Sequence, residues 1–320
     1  MIDVSIVAPL YNEEANASLL YQRLTDVMKK VGGSYEIVFI DDGSRDNTLK
    51  IVEEIANKDS SVKVVKLKKN FGQTPALAAG IDNAEGEIIV TMDGDLQHDP
   101  DDIPLFLEKM KEGYDIVSGW RKKRVDNFVV RRFPSMVANK MMSIISGVDL
   151  HDFGTTFKAY KKDVIKDIEL YGEMHRFIPA LASINGVTVC EIPIKNILRD
   201  GGESYYGLGR ILPVLFDLFH IKFMVSYSRK PLHFFGLVGG TSFVLGSSIA
   251  TIIFFKKIFF GTAVFVEHGP LLFLATILII FGVQIITFGL LAELLVRIYH
   301  NTRNSKIYKV DKIIGGGGEK

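Results

Sequence analysis

Glu87-Ile88-Ile89-Val90-Thr91-Met92-Asp93-Gly94-Asp95-Leu96-Gln97-His98-Asp99-Pro100 joins a short β-branched run to an acidic turn. The run reads as a buried strand, so the carboxylates leave it at the carboxyl end, where open α/β sheets bind ligands. Asp93 and Asp95 stand one residue apart, and Gly94 between them gives the backbone room for two carboxylates to approach one hard cation. Oxygen donors of this kind suit Mg²⁺ or Mn²⁺, ions that also hold substrate phosphates. A lone Asp-x-Asp is more often a solvated turn, here one capping the helix expected near Asp101. The rest of the chain decides between the two readings.

Upstream, Val4-Ser5-Ile6-Val7-Ala8 is a strand stopped by Pro9 and followed by Leu10-Tyr11-Asn12-Glu13-Glu14. An amphipathic helix then carries Leu19, Leu20, Leu24 and Val27 and ends at Gly32-Gly33. Tyr35 to Ile40 is a second strand that delivers Asp41-Asp42-Gly43-Ser44, and Asp46 to Thr48 opens the next helix. Val62 to Leu67 is a third, followed by Lys68-Lys69-Asn70-Phe71-Gly72-Gln73 and a helix through Ala76, Leu77 and Ala79. Strands alternating with helices at this spacing predict βαβ crossovers and a mostly parallel sheet. Every strand then points the same way, so all four polar clusters fall on one edge. Solvated turns have no reason to gather carboxylates there, and the acidic turn is read as a ligand site. Neither G-x-G-x-x-G in the first βα turn nor G-x-x-x-x-G-K-[ST] occurs. Carboxylates alone would repel a diphosphate, so the expected ligand is a nucleoside diphosphate bridged by a divalent ion.

The 320 residues are 48% hydrophobic, but the apolar residues crowd toward the carboxyl end. A net charge of +1 points to neither nucleic acid nor an acidic partner. Cys190, the only cysteine, excludes an internal disulfide and a Cys-based metal cluster, and in Val187-Thr188-Val189-Cys190 it reads as a small core residue. The first residues lack a basic segment followed by a long apolar run, so no cleavable signal is expected. His233 to Phe255 and Gly269 to Ala292 carry no formal charge and are long enough to span roughly 30 Å of hydrocarbon as helices. Lys222, Arg229 and Lys230 precede the first, Arg297, Arg303, Lys306 and Lys309 follow the second, and only Lys256 and Lys257 lie between. The positive-inside bias puts both termini and the amino-terminal domain in the cytoplasm of an integral membrane protein. Ile211 to Tyr227 mixes apolar residues with Asp217, His220 and Lys222 and reads as an interfacial amphipathic helix against the lipid bilayer. Gly236 and Gly240 form a G-x-x-x-G pattern suited to helix pairing or a homo-oligomer. Gly315 to Gly318 is expected to be a flexible tail.

Ala8-Pro9-Leu10-Tyr11-Asn12-Glu13-Glu14, Asp41-Asp42-Gly43-Ser44, Asn70-Phe71-Gly72-Gln73 and the block from Met92 to Pro100 together resemble the family 2 inverting glycosyltransferases with a GT-A fold. Within that group the chain is similar to polyprenyl-phosphate glycosyltransferases: dolichyl-phosphate mannose synthases and, more closely, bacterial membrane-anchored enzymes that glucosylate undecaprenyl phosphate. The resemblance covers about residues 1 to 230 plus the two-span tail. The expected plan is an α/β GT-A catalytic domain, Rossmann-like with a mostly parallel sheet, over 1–207. Interfacial helices follow over 208–230, two transmembrane helices over 231–296 and a basic cytoplasmic tail over 297–320. The resemblance implies that Pro9, Tyr11 and Glu13 frame the nucleotide and that Asp41 and Asp42 meet its base and ribose. Asp93 with Gly94 would reach the ribose or metal side, and Asp93, Asp95 and Gln97 would hold Mg²⁺ or Mn²⁺.

The second half of the domain is expected to carry the acceptor. Trp120-Arg121-Lys122-Lys123-Arg124 follows the strand Ile116-Val117-Ser118-Gly119, and Arg131-Arg132-Phe133-Pro134-Ser135 comes next. Such a cation run is usually a solvated face or a face against anionic headgroups. In the related lipid-phosphate transferases an arginine after the glycine, and an arginine with a serine four residues on, hold the acceptor phosphate; Arg121, Arg131 and Ser135 match those places. Asp152, in His151-Asp152-Phe153-Gly154, would hold sugar hydroxyls or serve as a base. His175 reads as a helix-surface residue. Arg199, Ser204 and Tyr206 fit the family's mobile loop, although Tyr205 stands where a lysine is common.

The implied reaction moves one sugar, glucose from the UDP-sugar donor UDP-glucose, onto a polyprenyl phosphate with inversion. A phosphate monoester has its second pKa at about 6 and needs no strong general base. A GDP-mannose-dependent polyprenyl-phosphate mannosyltransferase is the alternative within the family. A processive polysaccharide synthase would carry a later Gln-x-x-Arg-Trp, whereas the sole tryptophan is Trp120. A non-catalytic membrane scaffold is at odds with intact acidic motifs.

Overall fold

The computed structural model describes residues 2–122, 133–168, 170, 174–183, 186–195, 197, 231–261, 264–301 and 307–316. They form two units, Met1–Ile221 with Lys306–Lys320, and Lys222–Ser305. Arg131, the loop with Arg199, Ser204 and Tyr206, and the interfacial segment 208–230 lie outside the described residues, as does the side chain of Ser135.

In the first unit β1 (Val4–Leu10), β2 (Tyr35–Asp41), β3 (Val62–Leu67), β4 (Ile88–Thr91), β5 (Ile116–Trp120), β6 (Lys158–Lys161), β7 (Val189–Pro193) and β8 (Val310–Gly315) make one eight-stranded sheet. Its order is β7-β5-β6-β4-β1-β2-β3-β8. The β1–β2, β1–β4, β2–β3 and β5–β7 pairs are parallel. β6 runs against both β4 and β5, which makes β5 parallel to β4. The carboxyl ends of β1 to β5 and the amino end of β6 therefore share one edge, as the sequence pattern implies for the first four.

Apolar residues alternate between two cores, one on each face, as a sheet covered on both sides requires. On β1, Ile6 joins Leu20, Phe39 and Phe106 on one face, while Val7 joins Val38, Leu77 and Tyr160 on the other. Helix α1 (Ala17–Val31) buries Leu20, Leu24, Val27 and Met28. Leu19, expected on that apolar stripe, is exposed instead. Among the described residues the other α-helices of this unit are α2 (Thr48–Ala56), α3 (Gln73–Asn83), α4 (Ile103–Lys111), α5 (Phe133–Ser146), α6 (Lys162–Lys166) and α7 (Ile178–Ser183).

The carboxyl-terminal segment is not simply a tail. Residues 310–315 pair antiparallel with β3, from Lys63↔Gly315 to Leu67↔Val310. Tyr308 donates its hydroxyl to Asp82 at 2.6 Å, and Lys66 pairs with Asp311 at 2.8 Å. Gly315, expected in a flexible run, has φ +80°, and a Cβ there would sit 2.3 Å from the Val62 carbonyl oxygen. Only glycine closes the strand so tightly against its neighbour.

The second unit is a pair of long helices, α8 (Pro231–Phe260) and α9 (Val264–Asn301). Leu232–Phe259 and Glu267–Leu295 are apolar enough to cross a membrane. Lys256 and Lys257 belong to the end of α8 rather than to a loop. His268 leaves helical geometry two residues before Pro270, which supplies the cause of the kink. The helices pack antiparallel through small residues. A Cβ on Gly239 would meet the Gly282 carbonyl at 2.6 Å, and one on Gly246 the Ala275 carbonyl at 2.7 Å. Gly236 and Gly240, the expected pairing motif, face open space, so the intrachain seam uses Gly239 and Gly246 instead.

Candidate functional site

At the shared edge the β1 and β2 loops are tied together. Asn12 accepts from the Arg45 amide at 2.8 Å, Glu13 N–H donates to Thr48 Oγ1 at 2.8 Å, and Glu14 accepts from Asn47 N–H at 3.0 Å. Tyr11 stands out from this frame, 40% exposed. Asp41 and Asp42 are both buried but differ in company. Asp42 accepts from the Phe71 and Gly72 amides at 2.8 and 2.9 Å, and burial raises its pKa against those bonds. It shapes the turn after β3 rather than reaching outward. Asp41 accepts at 3.3 Å from Ser44 N–H through Oδ1, while its buried Oδ2 has no hydrogen-bond partner among the described residues. A buried acceptor of this kind calls for a donor.

The acidic turn follows β4. Gly94 is required there, because a Cβ would lie 2.3 Å from Leu10 Cδ2 and 2.9 Å from the Pro9 carbonyl. Leu96 has φ +58° and Asn12 φ +55°; among the described residues they are the non-glycine positions with positive φ, and both lie at this edge. Asp93 accepts from Gln73 Nε2 at 2.7 Å, and His98 Nδ1 stands 3.8 Å from its other oxygen. His98 is buried, its Nδ1 has no hydrogen-bond partner among the described residues, and burial lowers its pKa. Asp95 accepts from the Gln97 amide N–H at 3.1 Å and from Gln97 Nε2 at 2.7 Å. The turn is held from behind by Arg23, 2.6 Å from Asp99, and by Ile197 N–H on the Gln97 carbonyl at 2.9 Å. No cluster of three or more His, Cys, Asp or Glu ligands occurs among the described residues. Two carboxylates and an amide nevertheless fit Mg²⁺ or Mn²⁺, which use few protein ligands alongside water and substrate phosphates.

Arg121, just past β5, meets Asp152 in a two-pronged pair, Nε to Oδ2 at 2.7 Å and Nη2 to Oδ1 at 3.0 Å. Asp152 is buried and also accepts from Gly154 N–H at 3.1 Å. With its oxygens committed in this way, it orients the guanidinium and is a poor proton acceptor. Below it, Lys158 is wholly buried and donates to the carbonyls of Phe153 and Thr155. Burial pushes the Lys158 pKa down to about 7, with Asp152 opposing.

The edge thus gathers Pro9, Tyr11, Glu13, Asp41, Asp93, Gly94, Asp95 and Gln97 on adjacent loops, with Arg121 and Asp152 at the neighbouring strand ends. His175 is buried rather than on a helix surface: its Nδ1 is 2.6 Å from Thr74 Oγ1, and burial pushes its pKa down to about 3. Gln73 and His98 stand in the motifs quoted above without a role of their own there. Lys158, which bonds to carbonyls three and five residues before it, and Glu191 of β7, which accepts from the Asp152 amide at 2.9 Å across 39 residues, carry no mark of function in the sequence. Cys190 is half-buried with its pKa pushed up to about 11, which suits a packing residue and not a nucleophile.

Residues 5–169 match the model of glycosyl transferase family 2. The chain is 37% identical over 316 residues to dodecaprenyl-phosphate galacturonate synthase of Rhizobium johnstonii, covering 98% of this chain and 93% of the relative. It is 34% identical over 312 residues to undecaprenyl-phosphate 4-deoxy-4-formamido-L-arabinose transferase of Pseudomonas aeruginosa, covering 97% and 90%. Glucosyl-3-phosphoglycerate synthase of Mycobacterium tuberculosis, solved with Mn²⁺ and UDP, shares the fold at a TM-score of 0.52 and 16% identity, over 70% of this chain and 80% of that one. A family model covering half of the chain, relatives matched from end to end, and a GT-A neighbour beneath the same sheet converge: this chain belongs to the family 2 glycosyltransferases.

Proposed function

We propose that the enzyme transfers one sugar, glucose from UDP-glucose, onto a polyprenyl phosphate with inversion, giving a polyprenyl-phosphate sugar at the cytoplasmic membrane face. The observation that carries the polyprenyl-phosphate acceptor is the match to two relatives over 97–98% of the chain, apolar helices included, both named for polyprenyl-phosphate sugars; those names give galacturonate and 4-deoxy-4-formamido-L-arabinose, and glucose rests on the motif resemblance alone. Pro9, Tyr11 and Glu13 frame the nucleotide, and the unpaired Asp41 Oδ2 takes a donor from base or ribose. Asp93, Asp95 and Gln97 would hold Mg²⁺ or Mn²⁺, which supplies charge neutralisation for the departing diphosphate. Arg121, aimed by Asp152, receives the lipid phosphate as a fork, with Arg131 and Ser135 as its partners, and aligns it for in-line attack. Arg199, Ser204 and Tyr206, outside the described residues, are assigned to the donor by the motif resemblance alone.

The two helices cross the bilayer as a hairpin. Support comes from the path of the chain, which leaves the catalytic sheet before α8 and rejoins it at β8 after α9, so the number of crossings is even. The basic flanks put both ends in the cytoplasm.

Purified full-length protein is incubated with undecaprenyl phosphate, Mg²⁺ and labelled UDP-glucose, with UDP-galacturonate, a UDP-4-amino-arabinose donor and GDP-mannose in parallel. Label from UDP-glucose in the organic phase, exceeding that from the others, supports the proposal. A different winning donor replaces glucose, and no organic label from any donor contradicts polyprenyl-phosphate transfer.

A further inference from the structure

Beside the Arg121–Asp152 pair lies a second arrangement that the reaction above does not use. Trp120 and His151, each one residue away from that pair, stack with ring centroids 4.4 Å apart and planes 19° apart. Glu191 on β7, its side chain only 8% exposed, accepts from His151 N–H at 3.0 Å and from Asp152 N–H at 2.9 Å. It also lies 2.9 Å from His151 Nδ1. An ionised carboxylate only accepts, so Nδ1 carries the hydrogen and Nε2 is left as the working atom. The His151 side chain is 62% exposed, and Nε2 has no hydrogen-bond partner among the described residues. Asn139 of α5 donates to the His151 carbonyl at 2.8 Å, four residues on from Ser135 along the same helix.

This is a carboxylate-oriented imidazole, locked in ring plane and tautomer, next to the arginine assigned above to the lipid phosphate. The charged groups around it are Glu191 from β7, Arg121 and Asp152 as a pair, Asp149 in its own loop, and Lys122, whose Nζ lies 5.4 Å from the Trp120 ring centroid. Packed α5 contributes the neutral Asn139. An anion arriving at Arg121 would add the one group that the imidazolium form of His151 lacks, an acceptor at Nε2.

We propose that His151 is a further acceptor-binding residue, its Nε2–H donating to the lipid phosphate held by Arg121, while Glu191 and Trp120 fix the ring for that contact. This rests on the polyprenyl-phosphate reading. The bound complex contains one proton to be placed. If the phosphate arrives as the monoanion, its P–OH proton passes to neutral Nε2, and the oxygen keeps the electron pair. If it arrives as the dianion, the imidazolium already holds that proton. Both routes give imidazolium and phosphate dianion, joined by a charge-assisted hydrogen bond. The contact therefore depends on the one proton that the two groups share, and raising the pH withdraws that proton from the complex.

The test compares wild type with His151→Gln and His151→Phe, the second keeping a ring on Trp120. Both variants should lose about tenfold in kcat/KM for polyprenyl phosphate at pH 6.0 yet fall within about twofold of wild type at pH 8.5, with the donor KM unchanged. The high-pH arm also reports that the variants are folded. A loss equal at the two pH values, or full activity in His151→Phe at pH 6.0, overturns the proposal and leaves His151 a packing residue. A second readout is independent of turnover: the His151 imidazole signal, assigned by its absence in His151→Gln, is titrated by NMR with and without farnesyl phosphate in detergent. Its midpoint should rise by about one pH unit with farnesyl phosphate, the linkage counterpart of tenfold binding. An unmoved midpoint overturns the role of His151. A moved midpoint in an enzyme that makes no lipid-linked sugar upholds it and contradicts the transfer reaction instead.

Discussion

Asp93 and Asp95 leave β4 with different company, and that difference separates their expected roles. Asp93 is held by Gln73 from α3 and faces buried His98, whereas Asp95 accepts from both nitrogens of Gln97 within the acidic turn, beside the amide that would share the cation. Asp95→Ala should lower transfer by about a hundredfold or more, with Mn²⁺ unable to restore it, measured as organic-extractable label. Arg121→Lys keeps the charge but loses the fork to Asp152; kcat/KM for the lipid phosphate should fall about tenfold while the donor KM stays within about twofold. At His175 the folded pKa lies below the unfolded value, so stability is full above about pH 6.5 and drains as pH falls toward about 3. Wild type should lose about 1 kcal/mol between pH 7 and 5.5 by urea denaturation followed through Trp120 fluorescence, and His175→Leu should lose much less over the same interval.

Among elements, β1 to β4 were legible because each is a β-branched run cut off by polar residues and each is followed by a helical period. Their shared edge followed from that alternation, and with it the gathering of Asp41, Asp93 and Asp95 on adjacent loops. β8 was not legible. Val310-Asp311-Lys312-Ile313-Ile314 is short and charged, and its meaning comes from β3, some 245 residues away by the Lys66–Asp311 pair. The end of β5 was half legible. Arg121 and Asp152 stand in recognisable motifs, but Glu191, which anchors the Asp152 loop, sits in a strand with no local mark of function. Removing residues 307–320 should expose the β3 edge, lower the stability of the catalytic domain and promote aggregation, read by fluorescence unfolding and light scattering. Tyr308→Phe, which loses the bond to Asp82, should cost about 1 kcal/mol.

For the whole molecule, the return of the chain to its first sheet joins the pair of long apolar helices to the sheet-bearing unit at both ends. The composition foretold the helices, since long uncharged runs permit little else, but it could not foretell that the tail beyond them is a strand. A cysteine replacing Gly261 should react with an impermeant maleimide from outside intact cells, and one at Lys312 only after permeabilisation. Reaction of both from outside would contradict the hairpin. The central claim is that one sheet edge joins a sugar released from a nucleotide to a phosphate borne by a lipid. It is tested most directly by ³¹P NMR of the lipid extract after turnover with UDP-glucose labelled with ¹³C at C1. The account predicts a phosphodiester resonance split by that carbon with wild type and none with Asp95→Ala; UDP and free glucose without a split phosphodiester signal would contradict it.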